Sequence, residues 1–232
     1  MATATKKETV AIKPLKLKRI PIRIVGDTPL IVHAWSEKAK KEILDKQTGK
    51  TKLRKHPEKI PFDDFARALY WLTPMPTVPY VDKCTGEDRE IVTEELFDEA
   101  IKNGAKFGFP ANSFKMAANS AAYRMGWVKN QMQLRGSYFL NAESGGEYVE
   151  IKGELPLCRE DMVTVSNGGS DIRYRPIFNN WYCDMILEYN ESGEMKLSDI
   201  LTCIEAGGYC TGVGEWRPEK DGTFGRFHIE KK

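Results

Sequence analysis

Residues 206–230, AGGYCTGVGEWRPEKDGTFGRFHIE, decide the class of fold. Helix periodicity (Leu197, Ile200, Leu201, Ile204) runs into this stretch, and an alternating strand (Phe224, Phe227, Ile229 among polar neighbours) runs out of it. A dinucleotide-binding turn needs the reverse order, strand then glycines then helix, so Gly212-Val213-Gly214 is not a Rossmann turn. Six glycines (Gly207, Gly208, Gly212, Gly214, Gly222, Gly225) alternate with Tyr209, Trp216, Arg217, Lys220, Phe224, Arg226 and Phe227. Glycine allows positive φ and close backbone approach, which suits a loop moulded to phosphates. Arginine supplies forked donors, and aromatic rings supply faces for unpaired bases. A glycine-rich turn with purely structural duties is the alternative reading.

Upstream, Trp181 to Tyr189 alternates as a strand, and Glu191-Ser192-Gly193-Glu194 forms its turn. Before it, residues 153–180 carry Arg159, Arg173 and Arg175 with Tyr174 and Phe178, around Ser166-Asn167-Gly168-Gly169-Ser170. Arginines interleaved with aromatics on a hairpin suit a single-strand binder, and a ribbon with solvated arginines is the plain alternative. Further strands are expected near 137–141 and 148–152. Residues 113–125 form a helix with Asn112 or Ser113 as its cap, an alanine stripe (Ala117, Ala118, Ala121, Ala122) and flanking Lys115 and Arg124. Capped backbone N–H groups near a lysine make an anion site.

At the other end, residues 1–14 read as a flexible arm. Leu15, Leu17, Ile20, Ile22, Ile24 and Val25 mark a first strand, with Pro21 implying an edge or a bulge. Ser36 caps a short charged helix over residues 37–45. The most basic segment follows and includes Lys50, Lys52, Arg54 and Lys55, an outer contact for a polyanion or an ordinary solvated linker. Phe62, Phe65, Leu69 and Leu72 predict a helix between Pro61 and Pro74, residues 80–92 a hairpin, and Thr93 the cap of a helix that Gly104 ends.

Without the insertions 34–106 and 153–180, the order is strand, helix, strand, strand, helix, strand. That predicts an α+β domain over residues 15–232 with a ferredoxin-like (RRM-like) βαββαβ core and helical and hairpin insertions. The 232 residues carry a net charge of only +2, so any polyanion site is a local patch. Five cysteines without C-x-x-C spacing point to reduced thiols and a cytoplasmic setting. No apolar run reaches membrane-spanning length. No metal-ligand spacing, cofactor fingerprint or nucleophile motif is present, so no cofactor is expected. The histidines are His33, in an apolar strand, His56, in the basic segment, and His228, which alternates with Phe227 and Ile229 and points away from their face. Asp27 and Asp171 are expected on loops, where turn-capping duties account for both.

Three stretches together resemble the RAMP superfamily, the ferredoxin-like RNA-binding proteins of CRISPR effector complexes. They are Gly26-Asp27-Thr28-Pro29-Leu30 after the first strand, Phe109-Pro110-Ala111-Asn112-Ser113-Phe114-Lys115 with residues 118–124, and Gly212-Val213-Gly214 through Gly222-Thr223-Phe224-Gly225-Arg226-Phe227. In length and in the placing of insertions the chain is most similar to the backbone subunits that polymerise along guide RNA. Met116 stands where that family commonly has glycine, and Glu215-Trp216-Arg217-Pro218 replaces a run of small and basic residues. The chain also looks like phage and prophage proteins.

The resemblance implies a non-catalytic protein that binds single-stranded RNA or DNA and assembles side by side with copies of itself, alongside other CRISPR or phage recombination proteins. It carries binding roles to Ser113, Lys115, Arg124, Gly212, Gly214, Arg217, Gly225 and Arg226, and makes residues 153–180 a base-wedging hairpin. Arg173, Tyr174, Arg175 and Trp216 join from their own chemistry. Three other functions are weighed beside it: a phage single-stranded DNA-binding or annealing protein, an endoribonuclease using His228 or Asp27, and a protein-interaction module mimicking a CRISPR subunit.

Overall fold

The structure is a computed structural model that describes residues 14–35, 40, 43–44, 47–49, 57–164 and 168–231. Outside them lie the arm up to residue 13, the Ser36 cap and most of its helix, the basic residues Lys50, Lys52, Arg54 and Lys55, His56, and Ser166-Asn167. The described elements run β1 (Leu17–Gly26), β2 (Leu30–Ile31), α1 (Pro61–Arg67), β3 (Tyr70–Trp71), β4 (Val78–Val81), β5 (Asp88–Ile91) and α2 (Glu94–Lys102). Next come β6 (Phe107–Pro110), α3 (Ala111–Arg124), α4 (Met132–Arg135), β7 (Tyr138–Ala142), β8 (Tyr148–Glu150) and β9 (Lys152–Gly153). The chain ends with β10 (Leu157–Thr164), β11 (Ser170–Phe178), β12 (Trp181–Asn190), α5 (Leu197–Ala206) and β13 (Phe227–Ile229).

This is a mixed α+β fold with several antiparallel sheets. The largest has the order β13–β1–β12–β7, with the short β9 also on β12. Among the four long-range partners, the strand that comes last in the chain lies beside the first, then the third, then the second. Alternation decides which face is covered. Ile22 and Ile24 of β1, residues 183, 185, 187 and 189 of β12, and Tyr138 and Leu140 of β7 are buried in one core with Ala117, Ala118, Ile200 and Ile204 of α3 and α5. The alanines have little bulk, so α3 lies close to its neighbours. On the opposite face, Arg23 donates to Asp184 through two bonds of 2.7 and 3.1 Å and stacks 4.5 Å over the Tyr182 ring. Lys152 adds a third bond to Asp184 at 2.9 Å. β13 pairs only with Ile24, Val25 and Gly26, so at Pro21 β1 has a sheet neighbour on one side.

The insertion before α3 packs through rings: Trp71 and Phe97 lie 5.7 Å apart, Trp71 and Phe107 4.9 Å. Its hairpin, β4 with β5, is held by Asp82, which accepts from the backbone of Glu58, Cys84 and Thr85. Thr93 caps α2 as expected, and Gly104 has φ 81° just beyond it.

Several expectations are corrected. The helix after Pro61 stops at Arg67, because Trp71 Nε1 takes the Ala66 carbonyl at 2.8 Å and Tyr70–Trp71 pairs with β6. Neither Asn112 nor Ser113 caps α3. The helix leaves β6 directly after Pro110, and the Ala111 N–H goes to the Glu147 carbonyl. β8 belongs to a separate sheet with β3 and β6. α5 ends at Ala206, with Gly207 as its C-cap. The chain continues through a π-helical turn over Gly207–Thr211, closed by Gly212 N–H to the Gly207 carbonyl. Phe224 lies outside the last strand, and Asp171 is in β11 opposite Val163 rather than on a loop.

Candidate nucleic-acid interface

The three stretches quoted above for their resemblance meet in space, and the glycines are what let them meet. An added Cβ on Gly207 would lie 2.6 Å from the Ala118 nitrogen, on Gly208 1.9 Å from the Phe227 carbonyl oxygen, and on Gly214 2.4 Å from that of Ile31. Backbone bonds then lock the first turn to the last loop. Asp27 donates to the Arg226 carbonyl at 2.8 Å, Gly225 to the Pro29 carbonyl at 2.8 Å, and Arg226 to Thr28 Oγ1 at 3.0 Å. Gly212, Gly214 and Gly225 have φ of 67°, 78° and 67°, so they shape the loop as well as crowd it.

Two basic groups gather against this loop. The first joins it to α3. Glu219, in the short 3-10 turn Pro218–Lys220, accepts from Arg217 Nε at 3.0 Å and Nη2 at 2.7 Å. Its other oxygen accepts from Ser120 Oγ at 3.1 Å and Arg124 Nη2 at 3.2 Å. Burial pushes the Glu219 carboxyl up, but the bonds from Arg217 and Ser120 and the charges of Arg217 and Arg124 outweigh it, so its pKa falls below the ordinary value. Arg217 also donates to the Gly214 carbonyl at 3.1 Å.

The second group joins the loop to the β10–β11 ribbon. Arg159 sits opposite Arg175, and Asp161 opposite Arg173. Period-two alternation therefore puts these four side chains on one face of the ribbon. Asp161 pairs with Arg159 at 2.7 Å and with Arg175 at 3.3 Å. The Arg159 guanidinium lies 4.9 Å from the Phe224 ring centre, and Arg175 is 3.9 Å from Glu215. Tyr174 falls on the other face, where the Lys59 ammonium is 5.9 Å from its ring. The run Arg173-Tyr174-Arg175 is thus split between two faces. Met162 and Ile172, cross-strand partners, are exposed further along the ribbon.

Trp216 is exposed in the loop, with φ 52°. Arg226 has no carboxylate partner among the described residues. Its guanidinium lies 5.1 Å from the Tyr209 ring, and its Nε is buried without a bond. Arg175 is buried between Asp161 and Glu215, which corrects its expected place on the binding surface, and its Nε is likewise left without a bond.

Lys115 is not brought to this surface. It is buried, donates to the Arg135 carbonyl at 2.7 Å and lies 4.1 Å from the Phe139 ring. Desolvation lowers its pKa from the usual lysine value. Nine residues at about 100° each put Lys115 half a turn from Arg124 on α3. Ser113 is half-buried in the first turn of α3 and makes no side-chain hydrogen bond among the described residues.

Ser120, Asp161 and Glu219 are site residues that the sequence alone does not single out. The spacing of Ser120 and Arg124, four apart on one helix face, was the available signal. His228 Nδ1 lies 2.6 Å from Asp27 Oδ1 at the edge of the sheet. The pKa of His33, just after β2, is lowered, first by desolvation and then by the charge of Arg175. Among the described residues no group of acidic, histidine and cysteine side chains could hold a metal ion, and no helix is long and apolar enough to cross a membrane. The chain matches no protein-family model and no curated protein sequence.

Proposed function

We propose that this chain is a non-catalytic single-strand nucleic-acid-binding protein, with RNA the favoured ligand, that lies side by side with its own copies along the strand. The observation that carries the reading is the convergence on one loop of Arg217 and Arg226, Arg124 from α3, and Arg159 from the ribbon, with Trp216 exposed in the same loop. Phosphates would meet the arginines, and Trp216 would stack on a base. The antiparallel order β13–β1–β12–β7, with α3 and α5 on one face, supports a ferredoxin-like core and with it the RAMP resemblance. A net charge of +2 leaves protomers little repulsion to overcome in lateral packing.

Fluorescence anisotropy with labelled single-stranded RNA, single-stranded DNA and duplex, across a salt series, tests this. Binding to a single strand should weaken steeply with salt and be lost in Arg217→Ala/Arg226→Ala. A preference for DNA would move the role to a phage strand-binding or annealing protein. No binding at low salt would sink the reading and favour a protein partner.

The His228–Asp27 pair supports a second reading, a metal-independent endoribonuclease in which the carboxylate orients an imidazole base. Cleavage of single-stranded RNA in EDTA that disappears in His228→Ala would establish it. An intact strand after prolonged incubation would remove it.

A further inference from the structure

Glu219 makes the contacts that a phosphate group would make in the same place. One guanidinium meets it through two bonds, a second through one, and a hydroxyl supplies the fourth. Planar forks of this kind receive carboxylate and phosphate oxygens alike. The donors come from two separate elements, α3 and the loop, so they are placed by the fold and not by the local Arg217–Glu219 spacing alone.

The pocket is open to exchange. The side chains of Arg124 and Arg217 keep 49% and 31% of their surface exposed. The turn that carries Glu219 is bounded by two non-glycine residues in the left-handed region, Trp216 at φ 52° and Asp221 at φ 58°.

We propose that Ser120, Arg124 and Arg217 form a phosphate-binding pocket that the protein fills with its own Glu219 carboxylate, and that an incoming phosphodiester must displace it. The identity of the phosphate carrier rests on the single-strand reading. The pocket itself does not. The arrangement also gives Glu219 a role: it sets a threshold that isolated, weakly held phosphates do not cross.

The test uses the full chain as wild type, Glu219→Gln, Glu219→Ala and Glu219→Gln/Arg124→Ala. Thermal unfolding is followed in sodium phosphate and in sodium chloride at matched ionic strength, and anisotropy with single-stranded RNA follows. Glu219→Gln should gain a phosphate-specific rise in Tm that wild type lacks and that Arg124→Ala abolishes. Its affinity for the strand should rise roughly fivefold as one repulsive carboxylate is removed, with the salt slope little changed because the same phosphate is engaged in both forms. Glu219→Ala, without a competing amide, should behave the same way and stands in should the glutamine variant fold poorly.

The absence of any phosphate-specific shift in both single variants would overturn the proposal, even with wild type binding RNA normally. A phosphate shift in the variants, with no strand binding by any form, would uphold the pocket and remove the single-strand reading.

Discussion

Gly207 lies against the backbone of Ala118 so closely that a methyl group on it would sit 2.6 Å from the Ala118 nitrogen. The approach brings the π-helical turn down onto α3 and thereby carries the loop to Arg124. Gly207→Ala must push the two apart, at a cost of about 1–3 kcal/mol, read as a lower urea midpoint with the slope unchanged. Gly136→Ala is the control. Its φ is −101° and nothing lies within 4 Å of an added Cβ, so stability should barely move.

Trp216 separates stability from binding. Its backbone is left-handed, so Trp216→Gly relieves strain of about 1 kcal/mol and should hold or raise Tm. The same change removes a stacking ring worth roughly 1–3 kcal/mol per base. Affinity for a single strand should therefore fall by roughly 5- to 150-fold. Stability and affinity falling together would show that Trp216 packs structurally instead of facing a ligand.

Lys115 and Arg124 should divide in the same assay. Lys115→Met leaves the loop surface untouched and should change strand affinity by less than about twofold. Its stability should stay within about 1 kcal/mol, because losing one bond to the Arg135 carbonyl is offset by no longer desolvating an ammonium group. Arg124→Ala should reduce affinity and lower the salt slope by about 0.7. A large binding defect in Lys115→Met would place the ligand on the β7 side of α3.

Acid stability should depend on Asp184. The bond from Arg23 first, then those from Lys152, hold its carboxyl below the ordinary value despite desolvation. A depressed folded pKa means that the contribution is complete above the unfolded value of about 3.9 and is lost as pH falls through the folded value beneath it. Urea unfolding from neutral pH into that acid range should show Asp184→Asn less stable than wild type near neutrality. The difference should shrink as the wild-type carboxylate protonates. A constant difference across the series would mean that Asp184 contributes through packing alone.

Much of the core was legible because its signals are local. The alternation of Trp181 to Tyr189, the alanines of α3 and the spacing of Leu197, Ile200 and Ile204 each declare one face. What escaped depends on partners far away in the chain. Tyr70–Trp71 and Phe107–Pro110 are too short to show a period, and they are strands only because they pair with each other and with β8. The phase of α3 was available in principle: Lys115 and Arg124 are half a turn apart and cannot both reach the same loop. The roles of Glu219 and Asp161 were not. A carboxylate between arginines is recognised only when its hydrogen bonds are known, and these cross from one element to another.

The position of β1 also bears on how the chain reaches its native state. Arg23 meets Asp184 across 161 residues, and Asp27 meets His228 across 201. A ribosome releases the first strand long before either flank of it exists. Until residues 181–229 emerge, Ile22 and Ile24 have no sheet to join and remain open to wrong partners. Non-local pairing of this kind delays the rate-limiting step into the range of roughly milliseconds to seconds, and the waiting strand is the segment that holdase chaperones would be expected to cover.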